Sequence, residues 1–305
     1  MSSLTKLTVS PHIHSGRSTK GIMRDVLISL LPVTVAGVVI FGMRALLVVA
    51  VCLLCSVGFE ALFNLITKKE QTVGDLSAAV TGLLLALNLP ANIPLWQCAI
   101  GAMFAIIVVK CLFGGIGQNL VNPAVTARVF MLVAFSSMTV SAFPVDAVTG
   151  ATPLAAETMP SLLTLLLGNY GGTIGETCTL ALLIGGIYLL LRRVITWQLP
   201  VAFIGTVFVF SLLMENLDFL RALSLVLSGG VFIGAIFMAT DYVTSPPTAW
   251  GKVLFGLGAG LITCLIRYFG NYSEGVSFAI LFMNILTPYI CQWTRHKVFV
   301  TGGNK

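Results

Sequence analysis

The sequence predicts an all-α protein that crosses a membrane about ten times, and three observations support this fold class. Of the 305 residues, 57% are hydrophobic and 9% are charged, whereas soluble domains carry about 25% charged residues. Apolar runs near the roughly 20 residues that a spanning helix needs recur along the whole chain. Basic residues lie between these runs rather than in one patch, which excludes nucleic acid as a partner despite the formal charge of +6. Residues 1–305 are therefore predicted to form a single membrane domain.

Ten apolar segments define the predicted spans. Glycine, proline or charged residues lie between neighbouring segments or at their ends, and such residues end helices. The third, fifth and sixth segments are short or rich in glycine. The predicted spans are 24–42, 45–66, 75–90, 94–113, 123–139, 177–191, 198–214, 220–239, 251–269 and 275–292.

The distribution of Lys and Arg predicts the orientation of these spans. Cytoplasmic loops of membrane proteins carry an excess of basic residues. With the N-terminus inside, only Arg44, Arg221 and Arg267 fall outside. We therefore expect both termini to be cytoplasmic, including an N-terminal segment 1–23. We expect 140–176, which has no Lys or Arg, to be an extracytoplasmic loop. The predicted inside residues are Lys6, Arg17, Lys20, Arg24, Lys68, Lys69, Lys110, Arg128, Arg192, Arg193, Lys252, Arg295, Lys297 and Lys305.

A repeated motif predicts that the two halves are inverted five-helix repeats. The third span reads LSxxVTG at 76–82, and the eighth reads LSxxLSG at 223–229. The matched spans are five apart, and an odd number of spans per repeat gives the halves opposite orientations. Inverted repeats bind ligands near the midplane, between broken helices. The alternative is a chance match of short motifs.

Two polar interruptions are the predicted broken elements. Glycines and amides interrupt the apolar sequence at 114–122, where Asn122 suits a helix N-cap and Pro123 the first helical position. A second interruption, at 241–247, combines Asp241 with a Pro-Pro pair. Free backbone groups at membrane depth must be buried in protein or face water. The interruptions therefore predict a site, with ordinary capped surface loops as the alternative.

The seven cysteines do not predict disulfides. Most lie singly in apolar runs, where a free cysteine packs as a small hydrophobe. Cys52 and Cys55 form a C-x-x-C motif inside the second span. A redox or metal interpretation of that motif requires further partners, so we favour packing.

The most specific motif lies in the predicted extracytoplasmic loop and indicates covalent flavin attachment. Residues 146–152 match D-x-x-[S/T]-G-A-T, in which a flavin transferase joins FMN to the final threonine through a phosphoester. The acceptor must be an exposed hydroxyl, and small residues before it let the phosphate approach the backbone. The alternative is a Gly-Ala turn with capping hydroxyls. The predicted residues are Thr152 as the acceptor, with Asp146, Thr149, Gly150 and Ala151.

Acidic residues near the breaks are candidates for ion coupling. Carboxylates within a membrane are costly, and their presence by default suggests function. Glu60, Asp75 and Asp241 lie near span ends or interruptions, and Asp241 is the best placed for Na⁺ or H⁺ coupling. The alternative for Asp241 is an interfacial carboxylate near a helix dipole.

Taken together, these motifs resemble the NqrB/RnfD family of membrane subunits over essentially the whole chain. The short N-terminal segment is similar to that of the Rnf-type members. The resemblance rests on the flavin motif at 146–152, on S-P-H at 10–12 with Ser15, on 114–123, on G-G-x-I-G-E-T at 171–177, on F-M-A-T-D at 237–241 with T-S-P at 244–246, on Y-F-G at 268–270 and on Glu274-Gly275.

This resemblance implies a fold and a complex that composition alone does not reveal. The fold would be similar to that of urea transporters, with ten spans. The complex would contain six subunits in the inner (cytoplasmic) membrane of a bacterium or archaeon. It would move electrons between reduced ferredoxin and NAD⁺, coupled to Na⁺ or H⁺ translocation. The implied partners are RnfA, RnfB, RnfC, RnfE and RnfG, together with a flavin transferase.

The resemblance also implies a second, non-covalent flavin such as riboflavin. Glycines would admit a planar ring close to the backbone, and side-chain amides could bond its edge. Tight helix packing is the alternative role for the glycines. The candidate residues are Gly114, Gly115, Asn119 and Asn122 in one segment, and Gly172 and Glu176 in another.

The sequence predicts a relay subunit and membrane anchor rather than a complete enzyme. It contains no G-x-G-x-x-G nicotinamide motif after a strand. Its cysteines do not cluster as an iron–sulfur centre requires. A small-solute channel or transporter is the competing function, because inverted repeats with broken helices are also typical of transporters.

Overall fold

The computed structural model describes residues 18–135, 138, 160–270 and 275–295, and within these ranges every regular element is helical. Apolar side chains favour helices here because a helix satisfies its own backbone hydrogen bonds in lipid. The helices are α1 Thr19–Phe41, α2 Met43–Ile66, α3 Ser77–Leu87, α4 Leu95–Met103, α5 Pro123–Ala134, α6 Leu162–Leu167, α7 Thr179–Leu191, α8 Gln198–Met214, α9 Phe219–Leu227, α10 Val231–Ile233, α11 Ala249–Phe269 and α12 Val276–Thr294.

Two of these helices continue in a wider form. The end of α4 passes into a π-helix at Phe104–Cys111, and α10 passes into a second π-helix at Gly234–Met238. A 3₁₀ turn at Val73–Asp75 precedes α3. Side-chain caps define several helix starts: Ser18 accepts a hydrogen bond from the Gly21 amide, and Thr248 accepts one from the Gly251 amide.

The structure confirms a multi-pass membrane protein. Among the described residues, α1, α2, α11 and α12 are long and apolar enough to cross a membrane. A fifth crossing is formed if α9 and the α10 segment, bent by 64° at their junction, count as one span. The other apolar helices are shorter, so ten crossings stay a prediction. Large apolar side chains on the outer surface, such as Val39 (77% exposed) and Leu191 (78% exposed), suit contact with lipid.

Each predicted span corresponds to helical structure, but the break inside the eighth span is absent from the prediction. The predicted span 220–239 is broken at 228–230, between α9 and α10. The predicted span 75–90 is helical only over α3, and 123–139 is helical only over α5 among the described residues. The predicted loop 140–176 contains the short helix α6. Ser161 caps α6 and Gly168 ends it in a left-handed conformation, so local signals explain that helix.

Small residues let the helices approach each other closely. A Cβ atom on Gly185 of α7 would lie 2.2 Å from the carbonyl oxygen of Ser29 in α1. A Cβ on Gly82 of α3 would lie 2.8 Å from the carbonyl oxygen of Cys52 in α2. Close backbone contact through small residues is the usual way in which membrane helices pack. Gly185 and Gly82 therefore serve the close packing of their helices.

Segments that were predicted to share the cytoplasmic side lie together. Arg192 pairs with Asp25 at 3.1 Å, which joins the end of α7 to the start of α1. Lys252 Nζ donates to Thr196 Oγ1 at 3.0 Å. The hydroxyl of Tyr242 donates to the carbonyl of Val194. These contacts bring the N-terminal end of α1, the α7–α8 loop and the loop before α11 to one end of the bundle.

Lys110 and Arg128 need a correction, because both were counted as loop charges. Each side chain is buried inside the bundle, with about 2% exposed. Lys110 lies in the first π-helix, and Arg128 Nη1 donates to Asn88 Oδ1 at 2.5 Å. A charge that is paired inside the protein does not report which side of the membrane a loop occupies. The predicted orientation therefore depends on the remaining basic residues.

Candidate functional site

The two polar interruptions meet at a cavity of about 100 Å³. One wall comes from 114–122 and the start of α5, and another from the second π-helix and the loop that follows it. Lys110 and Asp241 are the charged residues on its wall. The lining residues are Ile22, Met23, Val26, Ser77, Val80, Thr81, Leu84, Lys110, Ile116, Asn119, Asn122, Pro123, Ala124, Leu189, Val194, Ile195, Phe237, Thr240, Asp241, Tyr242 and Val243.

Asn122 joins the two interruptions. Its Oδ1 accepts hydrogen bonds from the amides of Ala124 (3.0 Å) and Val125 (3.3 Å), which caps α5 as predicted. Its Nδ2 donates to the carbonyl of Met238 at 3.1 Å. Asn284 of α12 joins the same two segments when its side-chain amide is oriented so that both its oxygen and its nitrogen have a partner. Its oxygen then accepts from the main-chain N–H of Asn122, and its nitrogen donates to the main-chain carbonyl of Thr244. Most of the hydrogen-bonding capacity of Asn122 is therefore used within the protein.

Asn119 is better placed than Asn122 to bind a ligand. It lines the cavity, and its Oδ1 is buried without a hydrogen-bond partner among the described residues. A buried acceptor without a partner costs about 1–3 kcal/mol. A ligand N–H donor in the cavity would satisfy this atom. Asn119 therefore fits the predicted role of bonding the polar edge of a planar ring.

Gly114 and Gly115 turn the chain and do not line the cavity. Their φ angles are 117° and 99°, in the region that favours glycine. They end the π-helix and lead the chain back toward α5. The predicted role of admitting a planar ring therefore does not match their position, whereas a turn does.

Asp241 lines the cavity in the loop between the second π-helix and α11. Burial raises the pKa of its carboxyl above the usual value. Hydrogen bonds from the Thr244 hydroxyl and from the amides of Val243 and Tyr242 act in the opposite direction. The Thr244 Oγ1 lies 3.2 Å from Asp241 Oδ2. A carboxyl group with a raised pKa beside a cavity is suited to exchange a proton, whereas binding a cation would require its ionised form.

Gly172 and Glu176 lie at a different place from the cavity. The Ile174 amide donates to the Leu89 carbonyl and the Gly175 amide to the Leu87 carbonyl, so this segment packs on the C-terminal end of α3. The cavity is lined by α3 from Ser77 to Leu84, and neither Gly172 nor Glu176 is among its lining residues. Leu84 lies three residues before Leu87, or about 5 Å along the helix. The second predicted flavin segment therefore lies next to the cavity but does not line it.

Glu176 nevertheless has a defined environment. Its side chain is buried, and its Oε2 accepts a hydrogen bond from Thr173 Oγ1 at 3.0 Å. The Tyr170 hydroxyl donates to the main-chain carbonyl of Glu176 at 3.4 Å. A Cβ on Gly172 would lie 3.1 Å from a methyl carbon of Thr177. These contacts favour a packed polar turn at this position.

A buried charged network beside the cavity was missed by sequence reasoning. Lys110 Nζ donates to Glu60 Oε1 at 2.7 Å and to Ser77 Oγ at 2.5 Å. Thr72 Oγ1 also donates to Glu60 Oε1, at 2.8 Å. Glu60 and Asp75 were recognised as candidates separately. The signal that links them is a lysine within an apolar run, which an apolar span contains only at a cost unless that lysine is paired.

The remaining predicted site residues lie outside the described part of the chain. These are Asp146, Thr149, Gly150, Ala151 and Thr152. Among the described residues, no group of three or more His, Cys, Asp and Glu side chains could hold a metal ion. Cys52 is buried and Cys55 is half-buried in the core, with free thiols.

The size of the cavity limits how a flavin could bind. Pockets for cofactors usually measure about 300–1,000 Å³, and this cavity has about 100 Å³. The cavity would therefore have to widen, by movement of its lining side chains, to admit a three-ring system. The polar side chains of Asn119 and Lys110 are among its lining residues and suit the pyrimidine edge of a flavin.

Comparison with known proteins gives consistent matches over the full length. The sequence profile of the NQR2, RnfD, RnfE family matches residues 6–300. The chain is 47% identical to the D subunit of the Na⁺-translocating ferredoxin:NAD⁺ oxidoreductase complex of Acetobacterium woodii, covering 96% of this chain and 95% of that protein.

Two further relatives show the same coverage. The chain is 40% identical to the D subunit of the proton-translocating ferredoxin:NAD⁺ oxidoreductase complex of Clostridium ljungdahlii, covering 97% of this chain and 96% of that protein. It is 35% identical to the D subunit of the ion-translocating oxidoreductase complex of Halorhodospira halophila, again covering 97% of this chain and 96% of that protein. The first two relatives are named for different ions, so similarity alone does not identify the ion.

Proposed function

We propose that this chain, which belongs to the NQR2, RnfD, RnfE family, is the membrane electron-transfer subunit of an ion-translocating ferredoxin:NAD⁺ oxidoreductase complex. We further propose that it carries FMN joined to Thr152. The single observation that carries the FMN assignment is the seven-residue motif at 146–152 in a predicted extracytoplasmic loop. The names of the relatives support the assignment to the complex.

The chemistry of the motif explains how the chain contributes. FMN supplies one- and two-electron chemistry when bound, and the protein supplies its position and electrostatics. A phosphoester to Thr152 anchors the group through its phosphate and leaves the ring free. Gly150 and Ala151 keep the backbone beside the acceptor hydroxyl open to the transferase. The chain thus fixes a redox group to the membrane domain.

The test of covalent attachment uses the full chain expressed together with the flavin transferase. The denatured protein is expected to fluoresce in a gel, and its intact mass is expected to include one FMN. Thr152→Ala should lose both signals. Thr158→Ala, which removes a hydroxyl from the same predicted loop, is the matched control and should keep them. Fluorescence retained by Thr152→Ala would rule out this attachment site.

A second flavin, held without a covalent bond, is proposed to enter the cavity with its polar edge. The unpartnered Oδ1 of Asn119 supports this site. Acid extraction of the native protein should release this flavin, and Asn119→Leu should lower the amount released. Gln118→Leu changes the neighbouring amide, which does not line the cavity, and should leave the amount unchanged.

We propose that Asp241 couples ion movement to electron transfer, since it combines a place on the cavity wall with a raised pKa.

The proposed partners are RnfA, RnfB, RnfC, RnfE and RnfG. The proposed location is the inner membrane of a prokaryotic cell, with both termini in the cytoplasm. The ion is Na⁺ or H⁺.

We also propose that the two halves are inverted five-helix repeats in ten crossings. A twofold relation would exchange α1 with α7 and α5 with α12, and each of these pairs packs together. It would also exchange the α2–α4 contact with the α8–α11 contact, and both contacts exist. These packings agree with the motif shared by 76–82 and 223–229.

A further inference from the structure

The wall of the cavity holds a lysine that bonds two residues, and each of these is held in turn by one further residue. Lys110 is 2% exposed, and its ammonium donates to Glu60 Oε1 and Ser77 Oγ. Ser77 in turn donates its hydroxyl and its amide to Asp75 Oδ1, at 2.5 Å and 2.7 Å. Thr72 donates to the same Glu60 oxygen. The ammonium is therefore held in one place beside the cavity.

Lys110 has one N–H left for a ligand. An ammonium has three N–H donors, and two of them are used by Glu60 and Ser77 within the described residues. Since Lys110 lines the cavity, the third can point to a bound molecule. A donor with a full positive charge binds an electron-rich oxygen or nitrogen more strongly than a neutral donor does.

The ion pair is difficult to explain by stability alone. A buried ion pair within an apolar bundle contributes little stability, because the two charges lose their hydration. One oxygen of the pair, Glu60 Oε2, is buried without a hydrogen-bond partner among the described residues. The lysine also lies in a π-helix, and π-helical segments occur frequently at functional sites. Asp241 places the opposite charge elsewhere on the wall.

We propose that Lys110 sets the reduction potential of the electron carrier in the cavity, with Glu60 moderating its charge and Ser77 positioning it. The ligand class is a neutral heteroaromatic ring with carbonyl and ring-nitrogen acceptors on one edge. Such a ring gains negative charge when it takes up an electron, and the ammonium favours that reduced form. This inference rests on the proposed second flavin.

The proposal predicts shifts of opposite sign for the two partners of the ion pair. Lys110→Gln removes the positive charge and should make the carrier harder to reduce. Glu60→Gln leaves the lysine without its counter-charge and should make the carrier easier to reduce. The double variant, which replaces the ion pair by two amides, should have a midpoint closer to the parent than either single variant. A merely structural role would not give opposite signs.

The measurement is a spectroelectrochemical titration of the purified full chain in the Thr152→Ala background, where the non-covalent flavin is the remaining flavin. The electrode supplies each electron, the bound flavin accepts it, and buffer supplies any proton that follows. Flavin content after acid extraction is determined in parallel. Lys69→Gln, which removes one exposed positive charge, is the matched control and should leave the midpoint unchanged. Lys110→Arg keeps the positive charge, so its midpoint potential should lie close to that of the parent protein.

The outcomes separate this inference from the proposal on which it rests. Absence of extractable flavin from the parent protein overturns both. Flavin present with midpoints that are equal, or shifted in the same direction in both single variants, overturns the role of Lys110 alone. If Lys110→Gln fails to fold, the Glu60→Gln variant and the double variant decide. A raised midpoint potential in Glu60→Gln together with a midpoint near that of the parent in the double variant supports the proposal. Any other pair of values rejects it.

Discussion

The side-chain amide of Asn122 donates a 3.1 Å hydrogen bond to the main-chain carbonyl of Met238. This bond links the segment before α5 to the end of the second π-helix, which are 116 residues apart in sequence. The same side chain caps α5 through its oxygen. One residue therefore starts a helix and joins the two interruptions that enclose the cavity.

Substitution of Asn122 should separate these two roles. Asn122→Asp keeps the capping oxygens but has no N–H for Met238, while Asn122→Ala loses both. We expect Asn122→Ala to lower the free energy of unfolding by about 2–4 kcal/mol, as the sum of a lost cap and an unpaired buried carbonyl. Ser18→Ala, which removes a cap at an exposed helix start, should cost about 1 kcal/mol. Thermal unfolding in detergent measures the difference, and equal losses for Asn122→Ala and Ser18→Ala would contradict the bridging role.

A glycine pair tests the close approach of α1 and α7. Gly185→Ala would place a methyl group 2.2 Å from the Ser29 carbonyl oxygen, so the helices must separate, at a cost of about 1–3 kcal/mol for overpacking. Gly205→Ala in α8 meets nothing within 4 Å. That control should be neutral or stabilise by up to about 1 kcal/mol, because alanine favours helix. The measurement is the unfolding temperature of each variant; a Gly185→Ala protein as stable as the Gly205→Ala protein would exclude the contact.

Asp241→Asn should affect coupling and alter the pH dependence of stability. The folded-state pKa of Asp241 is raised by burial, so the folded protein binds a proton more readily than the unfolded chain does. Stability is therefore gained as pH falls through the raised value and lost as pH rises through it. The wild type should become more stable relative to Asp241→Asn as the pH is lowered from neutral. Unfolding temperatures across this range measure the effect.

The same variant distinguishes coupling from assembly. We expect it to keep covalent flavin while losing ion-coupled electron transfer in membrane vesicles. Parallel loss of flavin and of assembly would assign Asp241 a structural role instead.

The predicted orientation can be tested by thiol labelling. In a background without native cysteines, Glu157→Cys should react with a membrane-impermeant reagent from outside intact cells. Lys69→Cys, in the exposed loop after α2, should react only after the membrane is opened. Labelling of both positions in intact cells, or the reverse order, would contradict the orientation.

The sequence predicted those parts of the fold that depend on local chemistry. Apolar runs located the helices, and Asn122-Pro123 located the start of α5, because caps and proline act within one turn. The interruption at 241–247 was predicted for the same reason, and it contributes to the cavity as expected. The break between α9 and α10 was missed, because 228–230 is short and its neighbours are uniformly apolar.

The parts that sequence reasoning missed depend on contacts between distant residues. Lys110 and Glu60 are separated by 50 residues, and only packing of α2 against the α4 segment brings them together. For the same reason Lys110 and Arg128 were mistaken for loop charges. Gly172 and Glu176 are candidates for the same flavin as Asn119, but they pack against the end of α3 and do not line the cavity. Uniformly apolar helices also contain no periodic signal that could reveal a π-helix.

The π-helix that carries Lys110 makes this part of the chain sensitive to its number of residues. An α-helix turns by about 100° per residue, and a π-helix accommodates extra residues in the same rise. Deleting one residue from 104–109 would restore α-helical winding and move the ammonium about 100° around the helix, away from Glu60. Exchanging one apolar side chain for another there would change little, whereas a one-codon deletion would disconnect the charge from the cavity without altering the hydrophobic character of the helix.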